Sequence, residues 1–371
     1  MKLTLQIKLL PTKEQFTFLK NTLIEANNAC NEISEIAWTK KTYNQFKLHR
    51  ESYHIIKNSF NLTAQMVIRC ISKVSDAYKL DKKIKRKFKP LGAITYDCRI
   101  LRYQNDIINL WTVGGRLKVP FICHNQKYLP YVKGESDLIF KKGKFYIFQT
   151  IEVPEEDIKD VEEFIGCDFG LTTIVATSDG INHSAEWLNT YREHRQKIRS
   201  SIQSKGTKGS RRLLKRLSGK ERTTAKIINH TISKSIVESA KEQGKGIAIE
   251  DLTNIRFTSK RRNKKFRTKL GKWNFSQLRY FLTYKSLLNG LPLVVVEPAY
   301  TSQTCSICHH IGKRTNKSFQ CSNCGNNMDA DFNASRNIAT LGRSINNDEN
   351  STLYSCSLHT SLGLKPFQIA I

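Results

Sequence analysis

At 371 residues, with 39% hydrophobic and 25% charged, the chain has the composition of a globular protein of roughly two or three domains, which excludes a disordered or fibrous class. Lys and Arg number 61 against 32 Asp and Glu, a net charge of +29 that repels itself unless a polyanion neutralises it; nucleic acid is the first partner this implies. No apolar run reaches the ~18–20 residues of a membrane span, and the opening MKLTLQIKLLPTKEQ alternates where a signal peptide would be unbroken, so a cytoplasmic, nucleoid-associated protein without a membrane partner is expected.

In chain order, residues 1–9 read as a strand. After Pro11 a helical stretch is predicted over about 12–85, with Phe16, Leu19, Leu23, Ala29, Ile33 and Ile36 at helical spacing, ending near the basic run KKIKRKFK at 82–89. From 91 to 153 short β-rich pieces alternate with turns, and Lys141-Lys142-Gly143 reads as a hairpin. This is a small β domain with a helical insert after its first strand. From Glu163 a second texture begins: an apolar strand, a Gly-containing turn and a second β-branched strand. Residues 187–243 are helical and very basic, interrupted near SKGTKGS. GIAIED is a short buried strand, a helix is expected from Trp273 to about Leu288, and LPLVVVEP is a third buried strand. A cysteine cluster follows, then a helix from about Ala334 and a polar tail after Gly342. There is no internal repeat.

Cys305-Ser-Ile-Cys308 and Cys321-Ser-Asn-Cys324 are two knuckles with twelve residues between them. Each points two thiolates at one place, and together they supply the four sulfurs of a closed tetrahedral Zn²⁺ site, structural rather than catalytic because no coordination position stays open. Gly325 suits a positive-φ turn after the second knuckle. His309 and His310 are expected on an exposed loop. The other six cysteines (Cys30, Cys70, Cys98, Cys123, Cys167 and Cys356) are expected as small buried side chains.

Carboxylates stand at strand ends: Asp168 before Phe169-Gly170-Leu171, Glu250 and Asp251 after IAI, and Asp329 and Asp331 before a helix. Each alone fits a turn or a helix cap. Their order (strand–Asp, long helical stretch, strand–Glu, helix, strand, Asp–helix) is the order in which an RNase H-like fold assembles acids around Mg²⁺. Glu297, ending LVVVE, competes for the same place.

These motifs resemble the TnpB (OrfB-type) proteins of bacterial and archaeal insertion sequences, relatives of the compact type V CRISPR effectors. The likeness is clearest from Gly166 to Leu341. G-x-D-x-G matches Gly166, Asp168 and Gly170; I-x-x-E-D-L matches Ile247, Glu250, Asp251 and Leu252; Y-T-S-Q-x-C-x-x-C matches Tyr300 to Cys308; and D-x-N-A-x-x-N-I matches Asp331, Asn333, Ala334, Asn337 and Ile338. Trp273, Gln277 and Leu278 fit the helix before the ribbon, and Pro11, Thr12 and Gln15 fit the family's opening turn. One departure is His309, where the family often carries Gly after the second cysteine.

The resemblance implies an α/β fold: an RNase H/RuvC-like core (163–300 and 326–342) with an inserted zinc ribbon (301–325) and a flexible tail (343–371). A β-barrel-like wedge domain (1–10 and 91–162) carrying a helical recognition insert (11–90) precedes it. It implies an RNA-guided DNA endonuclease in which Asp168, Glu250 and Asp331 hold catalytic Mg²⁺ (or Mn²⁺), with a guide RNA from the element's own transcript and target DNA as partners. An RNA-independent, transposase-like nuclease, a non-catalytic RNA-guided DNA-binding regulator and a plain zinc-ribbon nucleic-acid protein remain open.

The basic stretches 192–222 and 256–272 flank the strand carrying Glu250. Either is a solvated face or a path for a phosphate backbone past the acids, with Arg211, Arg212, Lys215, Arg216, Arg222, Arg261, Arg262, Lys264, Lys265 and Arg267 as candidate contacts. Phe257, Phe266, Trp273 and Phe275 are candidates to stack on bases, although Trp273 and Phe275 fit a core equally well.

Overall fold

A computed structural model describes residues 1–253 and 263–347, in two compact units that divide between Pro154 and Glu155. Arg256, Phe257, Lys260, Arg261, Arg262, Cys356 and the tail from residue 348 lie outside the described residues, as do the side chains of Lys264, Lys265 and Lys272.

In the first unit, strand β1 (Lys2–Leu9) buries Leu3, Leu5, Ile7 and Leu9 on alternate positions, the period of a strand with one face in a core. It lies in a sheet with β2 (Ile94–Tyr96), β3 (Leu101–Gln104), β4 (Ile107–Thr112), β5 (Gly115–Cys123), β6 (Val132–Lys141) and β7 (Lys144–Glu152). Among the described residues the order is β2-β6-β7-β1-β5-β4-β3, with antiparallel neighbours throughout. Residues 97–100 join the two edge strands, and Tyr96 Oη donates to the Trp111 carbonyl at 2.8 Å, so the sheet is nearly closed. Lys142 and Gly143 turn β6 into β7 with φ of 51° and 76°, the two left-handed positions of a tight hairpin.

The expected helical stretch after Pro11 is three helices: α1 (Lys13–Thr39), α2 (Gln45–Ser59) and α3 (Ala64–Leu80). Thr12 and Gln15 form a reciprocal capping box on α1, and Asn44 and Thr63 accept backbone N–H groups at the starts of α2 and α3. The 82–89 run is not helical. Asn31 and Ser34 of α1 bond the backbone of Arg86 and Phe88 instead, fixing the run in an extended path.

The second unit is built on β8 (Phe164–Phe169), β9 (Thr173–Thr177), β10 (Asn182–Ser184), β11 (Gly246–Glu250) and β12 (Leu293–Val296), in the order β10-β9-β8-β11-β12 among the described residues. β8, β9 and β10 form an antiparallel meander; β11 runs parallel to β8, and β12 parallel to β11. Parallel strands need long crossovers. Helices α4 (Glu186–Ser204), α5 (Lys208–Leu217) and α6 (Lys220–Gln243) lead into β11, and α7 (Lys264–Lys272) and α8 (Phe275–Leu287) precede β12. The parallel strands are apolar on both sides because both faces are covered. On one face, Ile165, Cys167, Ile247 and Ile249 pack with Ile236, Ala240, Leu278 and Leu282 of α6 and α8. On the other, Phe164, Ala248, Val294 and Val296 pack with Ile338 of α9 (Ala330–Asn347). Between β12 and α9 stands a small sheet of β13 (Lys313–Thr315), β14 (Ser318–Gln320) and β15 (Asn327–Asp329).

Helix α9 crosses β8 so closely that only glycine fits beneath it. A β-carbon on Gly166 would collide with the Ser335 carbonyl oxygen and crowd the Ala339 amide. Gly342 meets Ala248 with the same lack of room. Because the obstacle at Gly166 is helix backbone rather than a flexible side chain, Gly166→Ala is expected to destabilise the protein by about 3 kcal/mol. Denaturant unfolding checks this, and a wild-type midpoint would mean that α9 does not cross there.

Candidate functional site

Strand parity decides which of the sequence's carboxylates meet. In β8, Phe164, Gly166 and Asp168 share the face under α9, while Ile165 and Cys167 face α6 and α8. In β11, Ala248 and Glu250 share that same α9 face. The β8–β11 register pairs Ile249 with Cys167, so the next step sets Glu250 beside Asp168 at the carboxyl ends of the two strands. Asp331 arrives from above, in the first turn of α9. Glu250 and Asp331 are 6% and 8% exposed, burial that acidic side chains do not accept without a role or a partner.

The competing acids are elsewhere or otherwise engaged. Asp251 falls on the opposite parity and is held by Arg279 at 2.9 Å and by Thr253. Glu297 is exposed beyond the end of β12. Asp329 accepts the backbone N–H groups of Asp331 and Phe332 at 2.9 and 3.1 Å. The helix therefore begins at Ala330 rather than near Ala334, and Asp329 is its cap; Asp331 is freed from capping and available to the site.

Sequence reasoning did not single out two neighbours of the acids. Thr301 Oγ1 donates to Glu250 Oε1 at 2.5 Å and fixes that carboxylate. Arg314 of β13 donates to Asp331 Oδ1 at 3.0 Å, reaching the acids from a segment 17 residues upstream of Asp331. Thr301 lies inside a recognisable motif, but nothing around Arg314 marks it out among the chain's many cations.

Two of the acids hold their protons more tightly than a free carboxyl does. The Asp168 carboxyl is pushed up to about 8, by burial first and then by the charges of Glu250 and Asp331, with Arg314 opposing. Glu250 is raised by burial, against the pull of Thr301 and Arg314. A bound cation would relieve the resistance of Asp168 and Glu250 to ionisation.

The four knuckle cysteines come together. All four sulfurs lie within 4.8 Å of one another, with Cys305 and Cys324 3.7 Å apart and Cys308 and Cys321 3.5 Å apart. Sulfurs of a tetrahedral site with metal–sulfur bonds of ~2.3 Å stand ~3.8 Å apart, so the donor set fits a thiophilic ion. The residue after each second cysteine turns left-handed: Gly325 at φ 72° and His309 at φ 61°. Both histidines are exposed, and the ligand set among the described residues is the four thiols. The His310 backbone N–H and the Asn323 amide hold the Cys308 thiol down to about 5.

The cluster and the acids share one support. Asn333 donates to the Thr304 carbonyl at 2.7 Å and accepts from the Ser306 N–H at 3.0 Å. Asn337 donates to the carbonyls of Thr301 and Thr304 at 2.8 and 2.7 Å. Helix α9 thus carries Asp331 on its first turn and clamps the first knuckle with its next turns.

Of the candidate nucleic-acid contacts, Arg211, Arg212, Lys215 and Arg216 on α5, Arg222 on α6 and Arg267 on α7 are exposed. Arg192 and Arg195 are half-buried: Arg192 lies 3.6 Å from Glu221, and Arg195 donates to the Leu217 carbonyl at 3.2 Å. Trp273 and Phe275 pack on the core. Cys30, Cys70, Cys123 and Cys167 are buried as expected; Cys98 is exposed, a correction.

The family model described as "Cas12f1-like, TNB domain" matches residues 275–338, spanning α8, β12, the cysteine cluster and the start of α9. The chain is 28% identical over 267 residues to the TnpB-like protein MJ0751 of Methanocaldococcus jannaschii, covering 69% of this chain and 89% of that one. It is 24% identical to the CRISPR-associated endodeoxyribonuclease Cas12f1 of Sulfoacidibacillus thermotolerans, covering 88% and 93%. It is 26% identical to the putative RNA-guided DNA endonuclease InsQ of Escherichia coli K12, covering 55% of each.

A carboxyl held near 8 when folded and near 4 when unfolded keeps its proton longer in the native state. Native stability is therefore greatest below pH 4 from this group and falls as pH rises toward 8. Asp168→Asn removes that loss. In buffer without divalent cations, the variant's stability advantage over wild type is expected to grow by about 3 kcal/mol between pH 5.5 and 8.5. Thermal midpoints at the two pH values measure it, and an equal difference at both would mean that the carboxyl ionises normally.

Proposed function

We propose that this chain, a TnpB-type protein by its sequence relatives, is an RNA-guided DNA endonuclease of the insertion-sequence kind, cutting at the Asp168, Glu250 and Asp331 centre. The observation that carries the site assignment is the convergence of these three acids, from β8, β11 and α9, on one face of the sheet. The strand order supports an RNase H/RuvC-like core. In this reading the core takes 163–300 and 326–342, a zinc ribbon takes 301–325, and the tail follows from 343. The nearly closed sheet of the first unit corresponds to a wedge-like domain over 1–10 and 91–162, with the helices of 11–90 as a recognition-like insert. Guide RNA and target DNA are the partners that the +29 charge would serve. Among the described residues no helix is long and apolar enough to cross a membrane.

Asp168, Glu250 and Asp331 would hold Mg²⁺ or Mn²⁺. Bound there, the ion supplies Lewis-acid stabilisation of the phosphate and a more acidic water. The chain's own part is positioning. Thr301 orients Glu250, Arg314 orients Asp331 and offsets the acids' mutual repulsion, and Asp329 starts the helix so that Asp331 faces inward. The cysteine cluster would hold Zn²⁺ with no open position, a structural role.

Replacing Asp168, Glu250 or Asp331 singly by Ala is expected to reduce Mg²⁺-dependent cleavage by at least about a hundredfold while RNA and DNA binding persist. A variant that cuts at the wild-type rate removes its residue from the site. Elemental analysis of the same preparations is expected to find one zinc per chain, lost with reduced soluble yield when the four cysteines are replaced by Ser.

A further inference from the structure

Trp187 is a large aromatic residue left 62% exposed at the start of α4. Its ring is stacked on Tyr191, one helical turn on, with centroids 5.4 Å apart and planes within 6° of parallel. Single exposed apolar residues are ordinary, but an aligned aromatic pair with one member open to solvent is a flat surface ready for a third ring.

Its place in the unit is fixed. The Ala185 N–H donates to the Thr172 carbonyl at 2.9 Å, and the Asn189 side chain donates to the Leu171 carbonyl at 3.1 Å. Both flanks of Trp187 are thus tied to the loop that leaves β8 after Phe169, the residue next to Asp168. Continuing along the same stripe of α4, the next residue after Trp187 and Tyr191 is Arg195, whose guanidinium bonds the Leu217 carbonyl at the end of α5. That contact brings the last turn of α5, with the exposed cations Lys215 and Arg216, beside the stripe. Five of the ten residues of α5 are cationic and none is acidic.

The geometry points to Trp187 and Tyr191 as a stacking platform for an unpaired base of the DNA strand that is led to the acid centre, with the α5 cations holding its phosphates. Aromatic stacking with flanking cations is how proteins hold single strands without reading sequence. The inference rests on the nuclease reading only for the choice of DNA as occupant, since the platform adjoins the loop after Asp168.

The test is binding, without metal, guide or cleavage, so its failure is separate from failure of the nuclease reading. Fluorescence anisotropy of the full chain is measured with oligothymidylate, with oligouridylate and with a blunt DNA duplex over a range of salt. Trp187→Ala is expected to weaken oligothymidylate binding about five- to a hundredfold. Duplex affinity and the slope of log affinity against log salt should not change, because no phosphate contact is removed. A combined Lys215→Ala and Arg216→Ala variant should weaken single strand and duplex alike and flatten the slope. Trp187→Phe, which keeps a ring, should bind oligothymidylate nearly as wild type while losing the tryptophan quenching that wild type shows on titration. Wild-type affinity in Trp187→Ala, equal loss on the duplex, loss confined to oligouridylate, or undiminished quenching in Trp187→Phe would overturn the assignment.

Discussion

The second unit depends on the contact between helix α9 and strand β8 at Gly166. With no side chain at that position, the helix backbone comes down onto the sheet, and Gly342 against Ala248 repeats the arrangement one strand away. A helix standing one side chain further off would leave Asp331 too high to share charge with Asp168. The same helix clamps the first cysteine knuckle through Asn333 and Asn337. One close approach therefore sets the height of the acid from α9 and the seat of the cysteine cluster together.

This explains how the cysteine cluster is tied to the acids. The loop from Thr301 to Cys308 is held on one side by α9 and on the other presents the Thr301 hydroxyl to Glu250. Arg314 comes from the small sheet that begins after the first knuckle, so metal at the four thiols would steady both a hydrogen bond to Glu250 and an ion pair with Asp331. Binding energy at such a site is folding energy for the segment that contains it. His309 fits the same picture. It takes the left-handed turn that Gly325 takes in the second knuckle, at the steric cost of a β-carbon, and the knuckle keeps its shape despite the departure.

Much of the site was legible before any coordinates. The order of the acids and the motifs that carry the family resemblance single out Asp168, Glu250 and Asp331 as candidates, whereas the face they share, and hence the separation of Glu250 from Asp251, comes only with the β8–β11 register and the packing of α9. The CxxC spacing announces its own geometry. What was not legible depends on tertiary placement. Asp329 and Asp331 are both plausible caps, and only the packing of α9 chooses between them. Arg314 and the Trp187–Tyr191 pair have neighbours in sequence that say nothing about where they end up. The helical insert read as one stretch because helix periodicity continues through its turns, while the breaks come from caps at Asn44 and Thr63 that a pattern of apolar residues does not register.

In the proposed reading the acid centre addresses phosphodiesters, which carry no sequence information, and choice of target comes from a bound strand that pairs with it. Reconstitution of the full chain with RNA transcribed from its own element, followed by the same RNA carrying a different guide segment, tests this most directly. Cutting is expected to move to DNA that matches the new guide and to vanish without RNA. Cleavage that stays at one place whatever the guide, or that continues when RNA is removed, would contradict it and leave a nuclease that selects DNA through the protein alone.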